Sequence, residues 1–262
     1  MTFDPLVALA GALTGLMVGM TGVGGGSLMT PMLLLFFGVA PLAAVGTDLW
    51  FAAVTKTVAS VIHSRHNLID WQVARRLWLG SLTSSALAIV MLQRYAAHDD
   101  LASVVKYTVA VAVIVTAIGM LFQGPLQALG RLSRRYDRRN FMRLQAPLTV
   151  ATGAVLGVLV SLSSIGSGAL GVVFLVYLYP VRLTPPRLVA TDIVHAIPLA
   201  LFAGIGHLLI GNVNFGLLVN MLVGSVPAVI VGALLSARLP HRLLRVALVA
   251  LLLIVGTRVL LS

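Results

Sequence analysis

Two stretches rich in glycine and serine interrupt apolar sequence, and the chemistry open to them is anion binding. The first is Gly22-Val23-Gly24-Gly25-Gly26-Ser27 and the second is Ser163-Ser164-Ile165-Gly166-Ser167-Gly168. Glycine reaches backbone geometry that other residues avoid. A helix interrupted there restarts with free N–H groups, and those donors and the helix dipole favour negative charge. Inside a membrane, unwound backbone is tolerated only where protein buries it or where it lines a cavity. Taken alone, either stretch reads better as a tight turn or as small residues at a helix contact. Recurrence at matching places in both halves brings the site reading level with that one. The candidate substrate contacts from the two stretches are Gly24, Gly25, Gly26, Ser27, Ser164, Gly166, Ser167 and Gly168.

A second set of candidates is ionisable. Asp48 and Lys56 lie inside one apolar segment, within about 10 Å of its centre at a rise of about 1.5 Å per residue. A charge at that depth is costly unless it faces the interior or a partner. Asp48, Ala52, Thr55 and Lys56 fall on one helical stripe. Asp192 holds the equivalent place in the second half, with His195 one turn on and within its reach. On the functional reading, Lys56 contacts an anion and His195 serves substrate or proton. Thr47-Asp48 and Thr191-Asp192 also have a structural reading, in which short polar side chains bind backbone donors freed at a nearby helix break. That reading is favoured for the aspartates, because two bare carboxylates repel an anion. Lys56 stands evenly between substrate contact and partner of Asp48. His63 and His207 sit at matching segment ends and read as interfacial residues. No spacing resembles a metal site, there is no Glu for a zinc-protease motif, and no P-loop is present. No metal or cofactor is expected.

The elements that must hold these residues follow from composition. Hydrophobic residues form 59% of the chain and charged residues 10%, against roughly 25% charged in a soluble domain. Mean hydropathy is +1.04. This excludes a disordered chain, a disulfide scaffold and most soluble enzymes. The expected fold class is an all-α polytopic membrane protein with glycine-broken helices and about 8–10 membrane segments. The apolar segments run roughly over 5–21, 27–38, 42–63, 74–93 and 103–122, then 147–163, 168–180, 187–209, 215–236 and 243–261. The second and seventh are short for a full span and read as half-helices that meet their partners inside the membrane. Zero cysteines exclude disulfides and thiolate metal sites.

The halves resemble each other. At an offset of 142, Gly11-Ala-Leu-Thr-Gly15 matches Gly153-Ala-Val-Leu-Gly157, and Gly24 and Gly26 match Gly166 and Gly168. At an offset of 144, Pro41, Thr47-Asp48, His63 and Gly80-Ser81 match Pro185, Thr191-Asp192, His207 and Gly224-Ser225. Five segments per half, or three spans and a hairpin, give an odd count, so the repeats would have inverted topology, as in many secondary transporters. The domains are 1–122 as the first membrane repeat, 123–146 as a basic cytoplasmic linker and 147–262 as the second repeat. The net charge of +11 reads as basic loops facing anionic lipid, not as a nucleic-acid interface. Loop 123–146 carries Arg131, Arg134, Arg135, Arg138, Arg139 and Arg143 against Asp137, and the positive-inside rule places it in the cytoplasm. Alternation then puts both termini outside.

Gly22-Val-Gly-Gly-Gly-Ser27, Pro31, Ala43-Ala-Val-Gly-Thr47, Asn67-Leu-Ile-Asp70 and Gly80-Ser81 together resemble the sulfite exporter TauE/SafE family over nearly the whole chain. The resemblance implies an inner-membrane permease for small sulfur-containing anions such as sulfite, sulfoacetate or other organosulfonates. The second copy departs from the pattern: its glycine cluster is shorter, and Val173 stands at the place of Pro31. The expected function is a secondary transporter, in the exporting sense, with an anion channel or a permease for another small organic acid as alternatives. A membrane-embedded enzyme is disfavoured because no nucleophile–base pair appears. Expected partners are a small anionic substrate and the bilayer, with a proton or another coupling ion and a homodimer left open.

The absence of cysteine makes the orientation directly testable. Ser133→Cys should react with an impermeant thiol reagent only after the cells are opened, and Ala97→Cys should react in intact cells. Labelling of Ser133→Cys from outside would invert the topology.

Overall fold

The computed structural model describes residues 3–21, 26–63, 68–95, 100–136, 138–235 and 241–261. They form eleven helices and no strand: α1 Pro5–Thr21, α2 Gly26–Phe36, α3 Pro41–His63, α4 Trp71–Tyr95, α5 Leu101–Leu121, α6 Gln123–Tyr136, α7 Arg138–Ser163, α8 Ala169–Leu178, α9 Pro185–Ile210, α10 Phe215–Leu235 and α11 His241–Leu261. Proline opens α1, α3 and α9, where its fixed φ suits the first helical position and its missing N–H costs nothing. Gly211, at φ +86°, closes α9, and the N–H groups of Gly211 and Asn212 bond back to the carbonyls of Leu208 and His207.

Length separates the spans from the partial ones. Leu101–Leu121, Arg139–Ser163, Pro185–Ile210 and Phe215–Leu235 are long and apolar enough to cross a membrane. α3 and α4 have 23 and 25 residues and comparable reach, but carry ionisable side chains. α2 and α8 have only 11 and 10 residues, or about 15 Å each, half of a hydrocarbon core of about 30 Å. α8 returns to the side from which α7 enters. Gln145, early in α7, donates its Nε2–H to the Leu178 carbonyl at 2.6 Å. The Thr149 hydroxyl meets that of Tyr179 at 2.8 Å. The α7–α8 unit is therefore a re-entrant hairpin. α1 and α2 touch likewise, with residues 22–25 outside the described set.

Helix pairing exchanges the two halves. α1 packs on α10 and α4 on α7, α3 on α9 and α5 on α11, and α3 also meets α10 as α4 meets α9. The glycines matched in the sequence sit in the two equivalent seams. Gly11 and Gly15 lie against Met221 and Ser225 backbone, and Gly224 against that of Ala8. Gly153 and Gly157 lie against Leu77 and Ser81, and Gly80 against Val150. A Cβ at any of them would overlap the neighbouring main chain. Small residues are what allow helices to approach this closely in lipid.

The segment expected as a loop over 123–146 is helical, comprising α6 and the first turns of α7. Its arginines are good helix formers, so their density marks polarity and not an irregular backbone. Gly130 of α6 is buried against the Tyr177 carbonyl of α8, and Gln127 reaches the Pro180 carbonyl.

These seams predict stability effects. Gly80→Leu and Gly224→Leu should each destabilise by at least the ~1–3 kcal/mol of overpacking, read as a lower Tm in detergent. Gly216→Ala, whose Cβ would meet only the Asn214 side chain, should stay within about 0.5 kcal/mol of the parent.

Candidate functional site

The second break is a wound turn, not a slack loop. The Ser163 hydroxyl donates to Leu159 O at 2.6 Å and accepts from the Ile165 N–H at 3.2 Å. Ser164 adopts φ +59°, and Gly166 and Gly168 take φ of +126° and +128°, geometry that only glycine reaches cheaply. α8 then restarts with the Gly171 N–H on Gly166 O and the Val172 N–H on Gly168 O. Every residue from Ser163 to Val173 is buried, which is the condition under which unwound backbone survives at membrane depth.

Lys56 crosses from the first half to this turn. Its Nζ donates to the Ser167 carbonyl at 2.6 Å and the Ser167 hydroxyl at 3.0 Å, and the residue is 1% exposed. Among the described residues it makes no direct ion pair. Asp48 and Asp192 stand further off, within its electrostatic reach. Lys56 is thus not held by Asp48 alone, as one reading of the sequence had it.

The two aspartates face the first turns of the two short helices. Asp48 Oδ2 accepts from the Thr30 hydroxyl of α2 at 2.5 Å. The Ser164 hydroxyl turns toward Asp48 without closing a hydrogen bond. Asp192 lies against Gly171 and Gly168 at the start of α8, in space that a Cβ on Gly171 would fill. Neither of its carboxylate oxygens has a hydrogen-bond partner. Negative charge is favoured at both positions by the helix starts. His195, expected within reach of Asp192, points its Nε2 at the Ser81 hydroxyl of α4, 3.0 Å away, and its Nδ1 has no partner.

Thr47 and Thr191 do something else. The Thr191 hydroxyl accepts the backbone N–H of Asp70 at 3.0 Å, ahead of α4. The Thr47 hydroxyl accepts that of Asn214 at 3.0 Å, ahead of α10. Each threonine ties a helix start in the opposite half, so their hydroxyls are already used. Gly24 and Gly25 lie outside the described residues, Gly26 opens α2, and the Ser27 side chain is outside them too. His207, read as interfacial, is fully buried, with Nε2 at 2.8 Å from the Ser161 carbonyl.

Sequence reasoning missed Thr30, Ser161 and Gly171 as parts of this cluster, and did not give Ser81 its role beside His195. A hydroxyl one turn past a glycine break was the available signal for Thr30. Gly171 carried none.

The sulfite exporter TauE/SafE family model matches residues 7–259. The chain belongs to the sulfite exporter TauE/SafE family. It is 34% identical over 255 residues to the probable membrane transporter protein YjnA of Bacillus subtilis, covering 96% of this chain and 98% of that one. The probable membrane transporter protein YdhB of the same organism is 27% identical over 250 residues, covering 93% and 94%. A probable membrane transporter protein of Methanocaldococcus jannaschii is 25% identical over 236 residues, covering 88% and 81%. No solved structure matches the chain. This family member is a multi-pass membrane transporter.

The threonine ties predict a separation of stability from transport. Thr47→Val and Thr191→Val each strand a buried N–H, at a cost of about 1–3 kcal/mol, so Tm should fall. Flux per folded molecule at saturating anion should hold within about twofold, since a residue outside the reacting contacts removes no binding energy. A raised KM with unchanged Tm would return these hydroxyls to the substrate.

Proposed function

We propose that this chain is a secondary transporter that exports small sulfur-containing anions, sulfite or organosulfonates, by alternating access between two inverted repeats. The observation that carries the reading is Lys56. It is a fully buried cation from one half, bonded to the helix break of the other, at the boundary that alternating access must rearrange. Its Nζ has donors to share with an anion, and hydrogen bonds between charged groups are the strong ones. The end of the molecule that carries Arg75, Arg76, Arg182 and the arginines of α6 is the cytoplasmic end of this transporter, in the inner membrane.

Charge sets the cargo class. One lysine and two aspartates sum to minus one if all are ionised, so a dianion meets more repulsion than a monoanion. A monoanion that enters with one proton leaves the total unchanged. Monosulfonates and bisulfite are therefore preferred over sulfate. Flux of sulfite rises as pH falls, because the singly charged form grows.

The test is anion flux into proteoliposomes of purified protein, compared across sulfite, sulfate, thiosulfate, sulfoacetate and taurine, with and without a proton gradient. Saturable sulfite or sulfonate counterflow is expected. Lys56→Met should weaken apparent affinity by about tenfold to a hundredfold, the worth of a hydrogen bond to a charged group at about 1.5–3 kcal/mol, and Lys56→Arg should keep part of it. Equal movement of sulfate and sulfite, or rescue of Lys56→Met by adding Asp48→Asn, would sink the assignment of Lys56 to the anion.

A further inference from the structure

α6 has three faces. Gly130 is buried on α8, and Leu126, Gln127 and Ser133 flank it. A second face carries Pro125, Leu129, Leu132 and Tyr136 at helical spacing, with the last three 49%, 50% and 85% exposed. The third face carries Arg131 and Arg135, one turn apart. They line a groove of about 310 Å³ floored by Gly124, Ala128 and the stems of Gln127 and Leu132. Among the described residues neither arginine forms an ion pair.

An exposed apolar stripe beside a basic stripe is the pattern of a helix lying in a membrane interface. Acyl chains take the apolar side, and headgroups the charged side. The small residues at 124 and 128 leave room between the guanidinium groups and the helix barrel. Guanidinium forks suit a phosphodiester bidentately. The stretch 131–143 holds six arginines and one acidic residue, Asp137, so charge also selects an anionic partner.

We propose that the Arg131/Arg135 groove is a binding site for the phosphate of an anionic phospholipid, with its acyl chain along Leu129 and Leu132. The lipid would rest on the helix that braces α8, the short helix whose start faces Asp192.

Leu132→Trp places a reporter on the apolar stripe. In vesicles containing bromine-labelled phosphatidylglycerol, the emission added by this Trp over the parent protein should be quenched more strongly than with equally labelled phosphatidylcholine. Adding Arg131→Ala and Arg135→Ala should lower the apparent phosphatidylglycerol affinity about thirtyfold, from about 1 kcal/mol per arginine, and Arg131→Lys/Arg135→Lys should retain most of it. Glycerol 3-phosphate should not compete at millimolar concentration. Equal quenching by both lipids, no loss in the alanine variant, or full competition by glycerol 3-phosphate would each overturn a lipid site. If the alanine variant fails to fold, the lipid preference of Leu132→Trp alone and its competition by unlabelled phosphatidylglycerol decide the matter.

Discussion

In the hydrocarbon core an unpaired peptide group costs several kcal/mol, and α7 ends at Ser163 in a stretch where every residue to Val173 is buried in protein. The surroundings of the break follow from that cost. Ser163 closes the last turn of α7 with its own hydroxyl, and the glycines at 166 and 168 let the chain reverse within a few residues. The Ser167 carbonyl, which has left the helix, takes the Lys56 ammonium. The start of α8, which lacks helical acceptors for its first N–H groups, has the Asp192 carboxylate against it. One interrupted helix thus accounts for a buried lysine and a buried aspartate that would otherwise be hard to tolerate.

Several contacts around the break come in matching pairs, and the side chains between them do not. Thr47 ties Asn214 and Thr191 ties Asp70 in the same way, and both tied residues cap the next helix through a side-chain oxygen. Lys56, however, has Ala200 at its matching position, and Asp70 has Asn214. Thr30 hydrogen-bonds Asp48, while Asp192 has no such hydroxyl. The matched contacts frame the break. The departures from them put one cation between two carboxylates and make the halves chemically distinct.

Much of this frame was legible in the sequence, because hydrocarbon imposes a simple code. Apolar runs marked most of the helices to within a few residues, though α7 starts nine residues before its expected 147 and α6 was not expected, and Gly22–Gly26 and Gly166–Gly168 marked where two of them stop. The glycines at 11, 15, 80, 153, 157 and 224 were legible as repeat positions but not as close contacts, since a matching offset does not say which face a helix presents. The α6 arginines misled for a related reason: charge density reports polarity, not backbone conformation. Within the site, the residue types were visible and the partners were not. Thr191 could be seen beside Asp192, but the Asp70 N–H it accepts comes from 121 residues away. His195 was paired in sequence with Asp192 by spacing, and in space it turned to Ser81, because helical spacing fixes which residues share a stripe and not what packs against it.

Among the described residues, Arg182 and Asp70 form an ion pair that their matching positions do not. Arg182 sets Nε on Asp70 Oδ2 at 2.6 Å and Nη2 on Oδ1 at 2.9 Å, and also reaches Gln72. At the other end, the matching positions are Gly38 and Asn214, which cannot form the pair. Arg182 joins the segment after α8 to the start of α4, and so links a hairpin of one half to a span of the other. Its side chain is 41% exposed and that of Asp70 only 6%, so water screens the guanidinium, while the carboxylate relies on it and on the Val73 N–H for partners. The bidentate geometry fixes how the segment after α8 meets the start of α4.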